Sequence, residues 1–185
     1  MIVRRYASAI LCVLCSLGVL AGEAACGYSL AGRGSFLPAY VKTIGIPTFT
    51  NRTTVFNLET LVTNKVRSEF IGRGKYQILP ESTGVDLLLN GEVTAVTLVP
   101  ATIDRTTNLA TRYSITMVAR IELRELRENK VLWENPSVMF RQEYDATSGA
   151  RNTDAVAFFQ QDAGALERMS SEFARTIVSA ILEAF

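Results

Sequence analysis

The sequence predicts an α+β fold: a two-layer sandwich of two helices packed on one face of a mostly antiparallel, mixed sheet of about four strands. Three observations predict it. Leu109 to Leu126 alternates apolar and polar side chains almost without a break. Val55 to Ile71 and Asp154 to Phe185 each place apolar residues at helical spacing. Between them the element order reads β-α-β-β-β-α.

The first strand candidate is Val41 to Phe49, carrying Val41, Ile44, Ile46 and Phe49. Pro47 lacks an N–H to donate, so this is an edge strand or one that ends early. Thr50 to Thr54 is a turn with several candidate N-caps for the helix that follows. Asn51-Arg52-Thr53 also fits a glycosylation sequon, but capping is the preferred reading. Along the helix, Leu58, Leu61, Val62, Val66 and Phe70 share one face, and Glu59, Asn64, Lys65 and Arg67 lie largely on the other. Gly72-Arg73-Gly74 is expected to stop it, with a glycine free to take the left-handed conformation.

Tyr76 to Leu79 is a short strand closed by Pro80, and Val85 to Val99 a long one. Leu87, Leu88 and Leu89 are apolar on both faces, as in the middle of a sheet, and Gly91 points to a bulge or a close approach. Pro100 to Asn108 reads as a polar connection. In the alternating strand, Tyr113, Ile115, Met117, Ala119, Ile121 and Leu123 point one way; Arg112, Ser114, Thr116, Arg120, Glu122 and Arg124 point the other, with Val118 the exception. Alternation this long requires one buried and one wet face. Glu128-Asn129-Lys130 turns the chain, and the return is kinked by Pro136, with Val138, Phe140 and Tyr144 on one face. The closing helix carries the stripe Leu166, Met169, Phe173, Ile177 and Ile181, an Arg168–Glu172 pair, and Gly164 as an early weak point. Ile115, Met117, Ile121 and Leu123 should therefore face Leu166, Met169, Phe173 and Ile177.

Residues 1–25 read as a secretory signal: Arg4 and Arg5, then an apolar run from Ala7 to Leu20, then small residues. The run is too short to span a bilayer, which takes about 20 residues. Ala24-Ala25-Cys26 resembles a bacterial lipobox, in which the thiol is lipidated, here at Cys26. Glu23 stands where such a motif carries an aliphatic residue. Ordinary cleavage near Ala24 or Ala25, leaving a soluble periplasmic protein, is the alternative. Residues 26–39, with Gly32-Arg33-Gly34-Ser35, read as a flexible tether rather than a phosphate loop, since no Gly-Lys-Ser/Thr follows. Residues 40–185 form one domain, a length able to bury its own core.

Composition narrows the function. Removing Arg4, Arg5 and Glu23 leaves equal numbers of basic and acidic residues, which argues against broad nucleic-acid electrostatics. Cys12 and Cys15 lie within the signal, so the mature chain keeps Cys26 alone and has no disulfide framework. There is no histidine, which removes the commonest general base and metal ligand. No nucleophile–base pair, metal cluster or phosphate loop is legible; Asp86, Asp104 and Asp145 read as strand-end and loop residues. No catalytic residue, metal or cofactor is therefore expected.

Four stretches together resemble the LptE family of lipopolysaccharide-assembly lipoproteins: Cys26-Gly27-Tyr28-Ser29-Leu30; Ile44-Gly45-Ile46-Pro47 to Phe70; Asp86 to Val93; and Arg112-Tyr113-Ser114-Ile115 running on to Val131-Leu132-Trp133-Glu134-Asn135 and the closing helix. The resemblance implies a non-enzymatic, lipid-anchored subunit on the periplasmic face of the outer membrane. Such a subunit plugs and helps assemble a large LptD β-barrel and assists delivery of lipopolysaccharide to the outer leaflet. The alternative is an exported lipoprotein of similar fold that activates a cell-wall synthase. Under the family reading, Arg112, Arg120 and Arg124 on the wet face, with Arg141 on the return, are candidate ligands for lipopolysaccharide phosphates and carboxylates. The competing reading is a solvated face with cross-strand Arg–Glu pairs, Glu122 and Glu143 being available. Contact with acidic residues lining the barrel is a third.

Overall fold

The computed structural model describes residues 37, 38, 40–73, 75–145 and 155–184. The signal segment, Cys26 and most of the tether lie outside them. Among the described residues nine elements follow in order: β1 (Thr43–Gly45), β2 (Thr50–Asn51), α1 (Leu58–Gly72), β3 (Gln77–Leu79), β4 (Leu87–Ile103), β5 (Ala110–Glu125), β6 (Lys130–Asp145), α2 (Ala155–Gln161) and α3 (Ala163–Glu183). The class is α+β, as the alternation predicted, but the mixed sheet has six strands rather than about four. The first segment splits into β1 and β2, and the short strand expected over Tyr76 to Leu79 is present as β3.

The strands lie in the order β3-β1-β4-β5-β6, with β2 also beside β4. β1 runs parallel to both β3 and β4, β2 parallel to β4, and β4, β5 and β6 form an antiparallel meander. Pro47 explains the split. Ile46 still donates its N–H to Leu79, 2.8 Å away, but Pro47 has none to give and the ladder lapses. Phe49 then turns into the core, its N–H donating to the Thr63 hydroxyl on α1 at 3.0 Å. Pairing with β4 resumes at Thr50 opposite Glu92.

One face of β5 is fully buried: Ile115, Met117, Ala119, Ile121 and Leu123 have no exposed surface. They share one cluster with Leu58, Val62, Val66 and Phe70 of α1 and with Met169, Phe173, Ile177 and Ile181 of α3. Leu166 packs against that cluster half-buried. Leu37, 1% exposed, belongs to the same core, so packing reaches back at least that far.

Several local expectations are corrected. α1 begins at Leu58, not Val55, and its N-cap is Asn57 in the left-handed region, without a side-chain cap bond. The capping residues of the preceding turn serve Asn51 instead. Its amide donates to the Val55 carbonyl (2.8 Å) and to Glu59 (2.9 Å), and its carbonyl accepts from the Thr53 N–H and hydroxyl. The helix ends at Gly72 with a right-handed cap at Arg73, within the segment expected to stop it; Gly74, which follows the cap, lies outside the described residues.

β4 continues past Pro100 to Ile103, where a polar connection was expected. β6 is continuous, and Pro136 falls at a register irregularity. The closing helix breaks before Gly164, because Asp162 accepts from the Ala165 N–H at 2.8 Å and starts α3 anew. The expected Arg168–Glu172 pair does not form. Arg168 bonds Asp162 at 3.2 Å, and Glu172 takes Arg175.

Candidate functional site

The helices occupy one face of the sheet; on the other, β4, β5 and β6 present exposed and half-buried side chains. Register fixes its composition. Arg112 lies opposite Asp145, Ser114 opposite Glu143, Thr116 opposite Arg141, and Val118 opposite Met139. Arg120 lies opposite Glu92 on β4. A row of small or apolar residues, Ala95, Val118 and Met139, thus separates two charged zones.

The four predicted arginines all lie on this face but do not form one cluster. Arg112 and Arg124 are 12 positions apart on β5, roughly 40 Å at about 3.3 Å per residue. Arg112 reaches Asp145 at 3.3 Å and Glu143 at 3.5 Å. Arg124 bonds Glu122 at 2.8 Å and the Asn129 side chain at 3.0 Å, and the Glu122 bond raises its pKa further. Arg141 donates to the Thr116 hydroxyl at 3.2 Å. Arg120 alone among the four has no hydrogen bond or ion pair among the described residues.

Arg120 borders a niche of about 260 Å³ with Pro47, Thr48, Gly91, Glu92 and Glu122. The niche exists because the β1–β2 strand lapses at Pro47 and uncovers β4 there. Gly91 is indeed a place of close approach: a Cβ on it would overlap the Phe49 ring. Glu92 is engaged by Arg52 at 2.6 Å, and Glu122 by Arg124. The guanidinium of Arg120 is therefore the one unengaged charge at the mouth, and a planar, five-donor group suits a bidentate phosphate or carboxylate.

A larger groove of about 900 Å³ lies between the end of β6 and the start of α3, lined by Glu143, Tyr144, Asp145, Asp162, Glu167 and Arg168. Each carboxylate there already holds a cation: Arg112 for Glu143 and Asp145, Arg168 for Asp162, and Lys65 for Glu167 at 2.7 Å. Lys65 holds the Glu167 carboxyl below its ordinary range. Arg168 also stacks over the Tyr144 ring at 5.6 Å, and burial pushes the Tyr144 phenol up. No group of three or more His, Cys, Asp or Glu gathers for a metal among the described residues.

The end of the sheet where β1 and β4 begin is tied by polar contacts that sequence reasoning missed. Asp86, read as a strand-end residue, accepts from the N–H groups of Lys42 (2.8 Å) and Thr43 (3.0 Å), and these hold its carboxyl below the ordinary range. Tyr40 donates its hydroxyl to the buried Glu125 at 2.6 Å, and Arg127 stacks on its ring at 5.1 Å. Asp104 is a turn residue, accepting from Thr106 and Thr107.

With this geometry in place, the comparisons decide the family. The lipopolysaccharide-assembly model LptE matches residues 41–181, from the strand before α1 to the last turns of α3. The chain belongs to the LptE family. No curated protein sequence matches this LptE-family chain. Among solved structures, the hypothetical protein CT253 of Chlamydia trachomatis is similar with a TM-score of 0.52 and 11% identity, over 77% of this chain and 96% of that one. The rare lipoprotein B of Shewanella oneidensis gives a TM-score of 0.45 and 14% identity over 77% and 96%. PelC of Paraburkholderia phytofirmans gives 0.45 and 12% over 82% and 95%. At such identities the CT253 likeness speaks to fold alone. No described helix is long and apolar enough to cross a membrane.

Proposed function

We propose that this LptE-family chain is a non-enzymatic outer-membrane lipoprotein, anchored through Cys26, that plugs and helps assemble an LptD-like β-barrel and assists lipopolysaccharide delivery. The family match over residues 41–181 carries the reading. Two features of the fold support it. The open sheet face, small and apolar at its middle and charged at both ends, has the makeup of a surface that packs against a partner wall. The paired charges Arg112–Glu143 and Arg124–Glu122 are then positioning contacts, and exposed pairs of this kind contribute little by themselves. Arg120 is the residue of the four best placed to take a lipid A phosphate, because, unlike the other three, it has no hydrogen bond or ion pair among the described residues.

Depletion of the chain tests the function: lipopolysaccharide labelled at the cell surface should fall. Unchanged surface lipopolysaccharide together with altered cell-wall synthesis would favour a synthase activator instead. Within that reading, Arg120→Glu should weaken lipopolysaccharide binding while Arg112→Glu leaves it nearly unchanged. The reverse order would move the ligand site to the far end of β5.

A further inference from the structure

Two carboxylates at the end of the sheet where β1 and β4 begin hold one short stretch of chain, Leu37, Pro38 and Tyr40 to Thr43, which leads into β1. The first is Glu125. By alternation it takes the inward position after Ile121 and Leu123 on β5, and it is 4% exposed, opposite the fully buried Leu87. An apolar residue belongs at such a position, and a buried polar group that interrupts a regular pattern points to a function. Its hydrogen bond comes from the Tyr40 hydroxyl at 2.6 Å, across 85 positions of sequence, and Arg127 stacks on the same ring at 5.1 Å. The second is Asp86. It accepts from the Lys42 N–H and from the N–H and hydroxyl of Thr43, while its own N–H donates to that hydroxyl at 2.9 Å. The Leu126 N–H donates to the Asp86 carbonyl at 3.1 Å, so both carboxylates stand on one braced corner.

We propose that residues 37–42 are a strap, which closes onto this corner as one unit and comes away as one unit while β1 and the rest of the sheet stay paired. The ladder begins at Thr43 opposite Gln77 and at Ile44 opposite Leu87. Ahead of it the chain is fastened by side chains that reach in from the start of β4, the end of β5 and the β5–β6 turn. The Lys42 carbonyl adds one backbone tie, accepting from the Gln77 N–H at 2.9 Å. Leu37 and Val41, 1% and 6% exposed, press into the core beneath, so the fastened state is the ground state. Segments held outside a ladder open at lower free energy than core strands, and they do so cooperatively. The strap is also where the chain from the tether enters the fold. Fastened, it fixes that entry beside the β5–β6 turn. Released, it adds up to about 20 Å of reach, at about 3.3–3.6 Å per residue. That consequence rests on the proposed anchor at Cys26; the strap itself does not, and it is what the experiment reads.

Native-state hydrogen exchange of the full chain, read residue by residue, is the test. In the wild type the Val41 and Lys42 N–H groups should exchange faster than that of Ile46, which donates to Leu79 within the sheet. Glu125→Leu completes the apolar row of β5 and removes the catch on Tyr40. Its melting temperature should hold or rise. The Val41 and Lys42 N–H groups bond Pro38 and Asp86, not Glu125, yet they should exchange roughly tenfold faster or more. Ile46 should keep its protection. Tyr40→Phe, at a position 41% exposed, removes the same bond from the other side and should speed the same two amides, even if Glu125→Leu does not fold. The proposal is overturned if Val41 and Lys42 keep wild-type protection in either variant that folds, because the fastenings then act separately. It is equally overturned if Ile46 loosens by the same factor, because the stretch is then part of the sheet and not a strap.

Discussion

Replacing Ile121 by alanine probes the packing of sheet on helices at its centre. Ile121 is fully buried on β5, in one cluster with Val62 and Val66 of α1 and Phe173 and Ile177 of α3. The change removes three carbons, a transfer loss of roughly 2.4 kcal/mol at about 0.8 kcal/mol each. A cavity walled by two helices and a sheet collapses poorly, and the residual void brings the total to about 3–4 kcal/mol, within the range of about 2–5 for such truncations. Thr116 sits on the same strand but on the open face, where its hydroxyl accepts from Arg141 at 3.2 Å. Thr116→Ala should cost under about 1 kcal/mol, the scale of a partly exposed hydrogen bond. Urea melts of the two variants, compared at equal m-value, measure the difference. Equal destabilisation would mean that the buried and open faces of β5 have been assigned wrongly.

Three further outcomes are expected. The Asp86 carboxyl is held below its ordinary range in the folded chain, mainly by the Lys42 and Thr43 N–H groups. Its contribution should therefore be full above about pH 4, the unfolded value, and should be lost as pH falls through the lower folded value. The stability gap between wild type and Asp86→Asn should shrink below about pH 4, and a gap that widens there would reverse the sign. Gly91→Ala should destabilise by about 1–3 kcal/mol, because the Phe49 ring must move out of a packed position; a neutral result in thermal melts would deny the close approach. Intact-mass measurement of membrane-extracted chain should show a lipid adduct on Cys26, and an unmodified N-terminus at Ala25 or Cys26 in the soluble periplasm would exclude the anchor.

The elements legible in the sequence are those whose structure follows from a long, regular pattern. β5 alternates over 16 residues, and each inward residue named from that alternation is buried. The α1 and α3 stripes were legible for the same reason. Gly91 was readable as a close approach, although nothing local identified Phe49 as the neighbour. What the pattern concealed was decided by contacts distant in sequence. The two halves of the first strand are rejoined only through β4, so Pro47 reads locally as an end although pairing resumes three residues later. Asn51 looked like one cap among several, and only the return of Val55 and Glu59 makes it the centre of the turn. Asp162 restarts α3 with one side-chain bond inside a continuous helical pattern. At the candidate site, the face of all four arginines was legible, but their partners were not. Which arginine stays unengaged depends on Arg52, which reaches Glu92 from 40 residues away.

The central claim is tested most directly by what the chain holds in the membrane. Affinity purification of the tagged full chain in mild detergent, followed by mass spectrometry, should recover a large outer-membrane β-barrel of the LptD type in a fixed ratio, together with lipopolysaccharide. Recovery of a cell-wall synthase, or of the chain with no barrel, would contradict the assignment of this LptE-family chain to barrel assembly and lipopolysaccharide delivery.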